Sequence, residues 1–186
     1  MDLAVGILFL GIALALIALT LLAILRTAFA RLNSSVGILR DGFPPGKTAP
    51  PFSLPDLEGH LRVAPAGDHW QLLYFANLSL VAFPELVAGI NRLAQTVREL
   101  EVVILSHEDR QHCEALSQGL HLQVPVVPVE PQLYERFRVR VVPFAFLLDP
   151  DGIICWVGVI NSAEQLFHVW RIGQAAVQQS RPSVKV

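Results

Sequence analysis

An uncharged run at the start of the chain constrains its fold more than any other feature. The run extends from Leu3 to Leu25, and Asp2 and Arg26 bracket it. A helix of this length spans about 34 Å at about 1.5 Å per residue, enough to cross a hydrocarbon core of about 30 Å. We therefore expect a single-pass transmembrane helix that holds the protein in a lipid bilayer.

Two other interpretations of this run fit the sequence less well. A cleavable signal peptide has a basic start and an apolar core of about 7–15 residues, whereas this chain has Asp2 and no Lys or Arg before Arg26. A buried core helix needs apolar neighbours on every side, which a chain of 186 residues hardly supplies. We expect the helix to remain uncleaved.

The rest of the composition favours one domain beside this anchor, because single cores use about 100–200 residues. The net charge of -2 gives no electrostatic reason to expect a nucleic-acid partner. Cys113 and Cys155 are the only cysteines, too few for a disulfide scaffold or a cysteine-based zinc site. We expect neither a metal nor a cofactor.

The chain divides by composition into four segments. A Gly- and Pro-rich stalk and linker over residues 26–43 follows the transmembrane helix at residues 3–25. The globular domain is expected over residues 44–178, and a short tail over residues 179–186.

Strand-like and helix-like patterns alternate within the domain. The short apolar runs Gln71–Ala76 and Glu101–Ser106 are typical of buried strands. Apolar residues at three- and four-residue spacing predict a helix over Glu85–Leu100 between them. Strand, helix and strand in this order form a right-handed βαβ unit.

The second half of the domain adds helices and a hairpin. Asp149-Pro-Asp-Gly152 has the composition of a tight turn between antiparallel strands. Ser162, with Gln165 three residues later, indicates a capping box at the start of the last helix. The expected elements are helices at Asp109–Gln118, Gln132–Phe137 and Ser162–Gln178, and strands at Val139–Leu148 and Ile153–Val157.

The entry to this domain resembles that of redoxin domains, the group that contains peroxiredoxins and TlpA-type thiol oxidoreductases. Their G-x-x-A-P-x-F pattern and turn glycine are matched by Gly46, Ala49, Pro50, Phe52 and Gly59. The resemblance extends over residues 44–175. It implies an α/β class domain with a thioredoxin-like fold, in which helices flank a central mixed sheet.

Within this group the chain is most similar to MauD-type proteins, membrane-anchored accessory proteins of methylamine utilisation. The likeness lies in the segments Val142–Ile154 and Gly158–Leu166 and in the uncharged N-terminal helix. It implies a protein partner, a part in the maturation of an envelope enzyme, and a domain on the extracytoplasmic (periplasmic) side.

The basic residues after the helix argue against that orientation. Arg26, Arg31 and Arg40 follow the run and no basic residue precedes it, so the positive-inside rule favours a cytoplasmic domain. We expect the extracytoplasmic side from the resemblance, with the cytoplasmic orientation left open.

The chain departs from the redoxin pattern at the reactive position. Related redox enzymes carry Cys-x-x-Cys where the first central strand meets its helix, since a helix N-terminus stabilises a thiolate. Here the four positions hold Ser79-Leu80-Val81-Ala82. Ser79 and Ala82 are thus interpreted as former redox positions, with no catalytic residue.

Polypeptide binding is expected to survive this loss. The resemblance places Pro143 at the cis-proline that faces the site, where a loop backbone pairs with an extended peptide without any sulfur. The expected binding residues are Ser79, Leu80, Val142 and Pro143. A purely structural membrane subunit is a further interpretation, which differs in the permanence of the partner.

An alternative hypothesis is a thiol-disulfide oxidoreductase or peroxidase that uses Cys113 or Cys155 from a displaced site. Both cysteines are expected to be packing residues, because free cysteine is among the most buried residue types. His107, His112 and Cys113 could be drawn as a metal cluster, but their spacing matches no ligand pattern. We expect the two histidines to be solvated.

Overall fold

A computed structural model of the protein describes Thr20 and residues 41–180. The expected transmembrane helix at residues 3–25, the stalk before residue 41 and the tail beyond Ser180 lie outside the described residues, Thr20 excepted. Within the part of the chain that the structure describes, no helix is both long and apolar enough to span a membrane.

The described residues form seven strands and four helices. The strands are β1 (Phe52–Pro55), β2 (Leu61–Ala64), β3 (Trp70–Phe75), β4 (Leu100–Ser106), β5 (Val126–Pro128), β6 (Phe144–Leu148) and β7 (Ile154–Gly158). The helices are α1 (Phe83–Thr96), α2 (Arg110–Gly119), α3 (Pro131–Phe137) and α4 (Ala163–Ser180).

Five strands form a central mixed sheet in the order β5-β4-β3-β6-β7. Strands β3, β4 and β5 run parallel, while β6 is antiparallel to β3 and β7 is antiparallel to β6. Strands β1 and β2 form a separate antiparallel pair. The expected central mixed sheet and βαβ unit are confirmed.

Both faces of the sheet are covered, which explains why β3 is apolar throughout. Leu72 and Tyr74 pack on one face with residues of α1 and α4. Leu73 and Phe75 point to the other face, against α3 and the first hairpin. Because side chains alternate along a strand, each of these residues is buried in one of two cores.

One predicted helix ends three residues or more earlier, and one predicted strand begins three residues or more later, than the sequence indicated. The helix expected over Glu85–Leu100 ends at Thr96, because Val97 leaves the helical region and Leu100 begins β4 opposite Trp70. The strand expected over Val139–Leu148 starts only at Phe144. Residues 141–143 form a bend that holds the Val142–Pro143 peptide bond in cis, as the resemblance implied.

The predicted capping box at the start of α4 forms in a shifted version. The Ser162 Oγ accepts a hydrogen bond from the Gln165 backbone N–H at 3.3 Å. The Gln165 side chain accepts in return from the Asn161 N–H at 2.7 Å, one residue earlier than the usual partner. The bond to Ser162 satisfies a first-turn backbone donor that the helix itself leaves unpaired.

An ion-pair network joins the first hairpin to the central sheet. Arg62 donates to the buried Asp56 carboxylate at 2.8 Å and to Glu101 in β4 at 3.0 Å. Burial alone would raise the pKa of Asp56, but the bonds from Arg62 and from the backbone N–H groups of His60 and Glu58 lower it. The hairpin is therefore held against β4 by charged groups as well as by apolar packing.

Gly89 lies where α1 meets α4. A Cβ at this position would be 2.5 Å from the Cβ of Ala163 and 2.9 Å from its Cα. Backbone cannot move aside cheaply in a packed core, so the two helices require glycine here.

Replacing Gly89 by alanine should lower the free energy of unfolding by about 1–3 kcal/mol through overpacking. A matched control is Gly119→Ala, since an added Cβ there meets no atom within 4 Å. That variant should be unchanged or more stable by about 0.4–1 kcal/mol. Urea unfolding followed by circular dichroism measures both, and equal effects would contradict the close helix contact.

Candidate functional site

Three segments meet at one edge of the central sheet. Phe75 at the end of β3 lies opposite Leu105 near the end of β4 and opposite Phe144 at the start of β6. The residues after β3, the residues after β4 and the residues before β6 therefore converge. Ligands commonly bind at the carboxyl ends of parallel strands in α/β folds.

The first of these segments contains the former redox positions proposed from the sequence. Ser79 lies in an exposed turn between β3 and α1, and Ala82 is the residue that caps α1 without a side-chain hydrogen bond. Pro84 follows within the first turn, where its missing N–H costs nothing. Ser79 and Ala82 therefore lie between the end of β3 and the start of α1.

The second segment supplies a carboxylate that binds the first. Glu108 Oε2 accepts from the Leu78 N–H at 2.7 Å and from the Ser106 hydroxyl at 2.9 Å. Its Oε1 accepts from the Ser79 hydroxyl and, at 3.3 Å, from the Ser79 N–H. The Glu108 side chain is only 10% exposed, so these four donors replace most of its water.

These bonds determine the protonation of Glu108. Burial alone would raise its pKa, but the hydrogen bonds from Ser79, Leu78 and Ser106 together lower it below the ordinary value. A carboxylate that accepts several hydrogen bonds is stabilised in its charged form. Glu108 is therefore ionised at neutral pH.

His112 completes the contacts around Ser79. Asp109 caps α2 by accepting from the His112 N–H at 2.9 Å, which places His112 in the first turn of that helix. The His112 Nε2 lies 2.9 Å from the Ser79 Oγ and 3.9 Å from Glu108 Oε1. The serine oxygen is thus held between an imidazole and a carboxylate.

The histidines and cysteine considered as a metal cluster do not converge. The His107 ring packs edge-on against Tyr134, with 5.2 Å between ring centroids. Cys113 is fully buried, whereas His112 faces Ser79. Among the described residues no group of three His, Cys, Asp or Glu side chains could hold a metal ion. His107 and His112 are both exposed, as expected, and His112 also contacts Ser79.

The surroundings of both cysteines disfavour their thiolate forms. Burial raises the pKa of Cys113, whose Sγ donates weakly to the Glu108 carbonyl oxygen at 3.6 Å. Burial likewise raises the pKa of Cys155 to about 11. The thiolate is the nucleophilic form of cysteine, and both side chains hold their protons at neutral pH.

The third segment brings apolar side chains to the site edge. Val142 and Pro143 are half-buried, while Val141 beside them is 53% exposed. In the turn after β3, Leu80 is 40% and Val81 is 96% exposed. Three of the six exposed large apolar residues in the described part of the chain therefore lie in two loops at one edge of the sheet.

Sequence reasoning missed Glu108 and Ser106. Both follow or end the predicted buried strand β4, where polar residues are brought to the carboxyl edge of a parallel sheet. The run Ser106-His-Glu-Asp109 was a usable signal. Only the register of β4 against β3 shows that Glu108 lies beside Ser79.

Comparison with known proteins identifies the fold. No protein-family model matches the chain, and no curated protein matches it. A solved thiol:disulfide interchange protein of the thioredoxin family from Chlorobium tepidum is similar, with 18% identity and a TM-score of 0.61 over 72% of this chain and 97% of that one. The fold is thioredoxin-like.

Two further solved structures have the same fold. The thioredoxin domain of a thiol-disulfide oxidoreductase from Bacteroides vulgatus is 14% identical, with a TM-score of 0.62 over 69% of this chain and 97% of that one. Peroxidoxin BcpB from Mycobacterium tuberculosis is 17% identical, with a TM-score of 0.58 over 74% of this chain and 98% of that one. At these identities the similarity establishes the fold, so function is argued from the site.

Replacing Glu108 by glutamine should lower the free energy of unfolding by about 1–3 kcal/mol at pH 7. Because the folded-state pKa is lowered, this stabilisation is present above the unfolded pKa of about 4.3 and is lost as pH falls through the folded value. Urea unfolding at pH 7 and at pH 3 should show the difference between wild type and variant shrinking.

The matched control is Glu114→Gln, an exposed carboxylate on α2 with no hydrogen bond to another described residue. It should change stability by less than about 0.5 kcal/mol at either pH. A Glu108→Gln effect that is small, or equal at both pH values, would contradict the assigned role of the carboxylate.

Proposed function

We propose that this chain is a membrane-anchored thioredoxin-like protein whose degenerate site binds a polypeptide partner without dithiol chemistry. The observation that carries the proposal is a hydrogen bond from the Ser79 hydroxyl to the ionised carboxylate of Glu108. Dithiol chemistry needs a thiolate at the position of this hydroxyl. The thioredoxin-like framework around it is complete.

The surroundings of Ser79 oppose redox chemistry in two ways. Disulfide exchange requires attack by a thiolate, and neither Ser79 nor Ala82 has a thiol. The negative charge of Glu108 beside Ser79 also disfavours a thiolate at that position. Loss of the cysteines is therefore matched by the electrostatics of the site.

The exposed edge supports binding of a polypeptide. Leu80, Val81 and Val141 offer apolar surface beside the polar Ser79, a combination typical of protein interaction sites. The backbone next to Pro143 can pair with an extended peptide, because such pairing uses only main-chain hydrogen bonds. We assign peptide contacts to Ser79, Leu80, Val142 and Pro143.

The likeness to MauD-type proteins suggests the class of partner. We infer an envelope enzyme that is bound during its maturation, while the transmembrane helix at residues 3–25 keeps the domain at the bilayer. A permanent structural subunit would use the same surface, but its partner would not dissociate.

A thiol-disulfide oxidoreductase or peroxidase is the second candidate, and the activities named for the structural neighbours favour it. Such an enzyme would have to use Cys113 or Cys155. The burial of Cys113 and the raised pKa values of both thiols support the binding function instead.

The full-length protein should show no thiol-dependent insulin reduction and no peroxide turnover, because neither thiol ionises near neutral pH. Thioredoxin serves as the positive control in the same detergent. Activity that disappears in Cys113→Ser or Cys155→Ser would overturn the proposal and establish a displaced redox site.

We further propose that the domain faces the extracytoplasmic side, as the likeness implies, despite Arg26, Arg31 and Arg40. Protease added to intact spheroplasts should then degrade the domain while a cytoplasmic marker stays intact. Full protection of residues 41–186 would show that the arginines determine the orientation.

A further inference from the structure

The hydroxyl of Ser79 has an environment that polypeptide binding does not require. It belongs to an exposed residue in a turn between a buried strand and a helix. Two ionisable side chains from another segment contact that oxygen, Glu108 through its Oε1 and His112 through its Nε2 at 2.9 Å. A nucleophile within hydrogen-bond reach of a base is the arrangement that covalent catalysis uses.

The positions of the protons identify which side chain is the base. A serine hydroxyl has one proton to donate, and the ionised carboxylate of Glu108 can only accept. If Ser79 gives its proton to Glu108, the remaining contact requires a proton on the His112 Nε2, which then donates to the Ser79 oxygen. Glu108 is thus the proton acceptor, and the hydrogen bond from His112 orients the serine oxygen.

Two backbone donors without an acceptor among the described residues follow Ser79 along the chain. The backbone N–H groups of Val81 and Ala82 have no acceptor among residues 41–180. They lie in the turn Leu80–Phe83, which directly follows the turn Asn77–Leu80 that holds Ser79 and directly precedes α1. Backbone N–H groups in such a turn can stabilise the oxyanion of an acyl-transfer intermediate.

We propose that Ser79 is a carboxylate-activated nucleophile that accepts an acyl group from thioesters and other esters with good leaving groups. The Ser79 Oγ bonds to the acyl carbon while its proton passes to Glu108 Oε1. The bond from the acyl carbon to the leaving sulfur or oxygen then breaks, and the departing anion takes the proton from Glu108. The products are an acyl-serine and a free thiol or alcohol.

The choice of leaving group follows from the strength of the base. A carboxylate is a weaker base than an imidazole, so it assists best where the leaving group departs easily. Glu108 does not contact the Nδ1 of His112, and the site therefore differs from a triad in which the acid orients the histidine. This activity does not depend on the proposed polypeptide partner.

The test uses the full-length protein and p-nitrophenyl acetate, with the acetylated residues located by peptide mass spectrometry. Ser53 is the internal reference, because it is an exposed serine whose hydroxyl has no hydrogen bond to another described residue. Ser79 should be acetylated at least about 100-fold faster than Ser53, the usual minimum for general-base assistance.

Variants distinguish general-base assistance by Glu108 from the reactivity of any exposed serine. Ser79→Ala should abolish the fast phase of p-nitrophenolate release, and Glu108→Gln should reduce it about 100-fold. His112→Gln should reduce it less, because the glutamine amide can still donate to the serine oxygen. Ser53→Ala is the matched control and should leave the fast phase unchanged.

The pH dependence of the two acetylation rates tests the same proposal without a variant, in case Glu108→Gln does not fold. In the wild type, the Ser79 rate should be constant from pH 8 to pH 9, because Glu108 is ionised there and histidine side chains ordinarily change their charge below this range. The Ser53 rate should rise about tenfold per pH unit with hydroxide. Equal rates at the two serines, or a Ser79 rate that also follows hydroxide, would overturn the proposal.

Discussion

The carboxylate of Glu108 organises the exposed edge of this domain. It binds two backbone N–H groups and the hydroxyl of the turn after β3, and it also binds Ser106 at the end of β4. A buried carboxylate with four donors is far more stable than one with unmet hydrogen bonds. The hydrogen bonds to Glu108 therefore fix the conformation of residues 78–79.

This contact accounts for both proposed roles of the edge. It holds the turn in a conformation in which Leu80 and Val81 face solvent, close to the cis-Pro143 segment that β6 brings to the same edge. It also keeps the Ser79 oxygen between a base and a donor. A negative charge at this position explains why a hydroxyl, which is neutral, is more compatible with the site than a thiolate.

The fold was largely predictable, because its signals are local or come from a recognisable framework. The runs ending near Phe75 and Ser106 are apolar because both strands are covered on both faces, and the turn at Asp149–Gly152 has its own chemistry. The end of α1 at Thr96 was missed, because the apolar spacing typical of a helix continues to Leu100. That residue instead pairs with Trp70 as the first residue of β4. Glu108 was missed because its partner Ser79 is 29 residues away and only the strand register joins them.

Site-specific photocrosslinking in native membranes tests the central claim, that the exposed edge binds a polypeptide without using thiols. A photoreactive residue at Val81 should give a discrete polypeptide adduct that persists in reductant and in the Cys113→Ser/Cys155→Ser background. The same residue at Ile172, also exposed but on α4, should give none. No adduct from Val81, an equal adduct from Ile172, or an adduct that requires either cysteine would contradict the account.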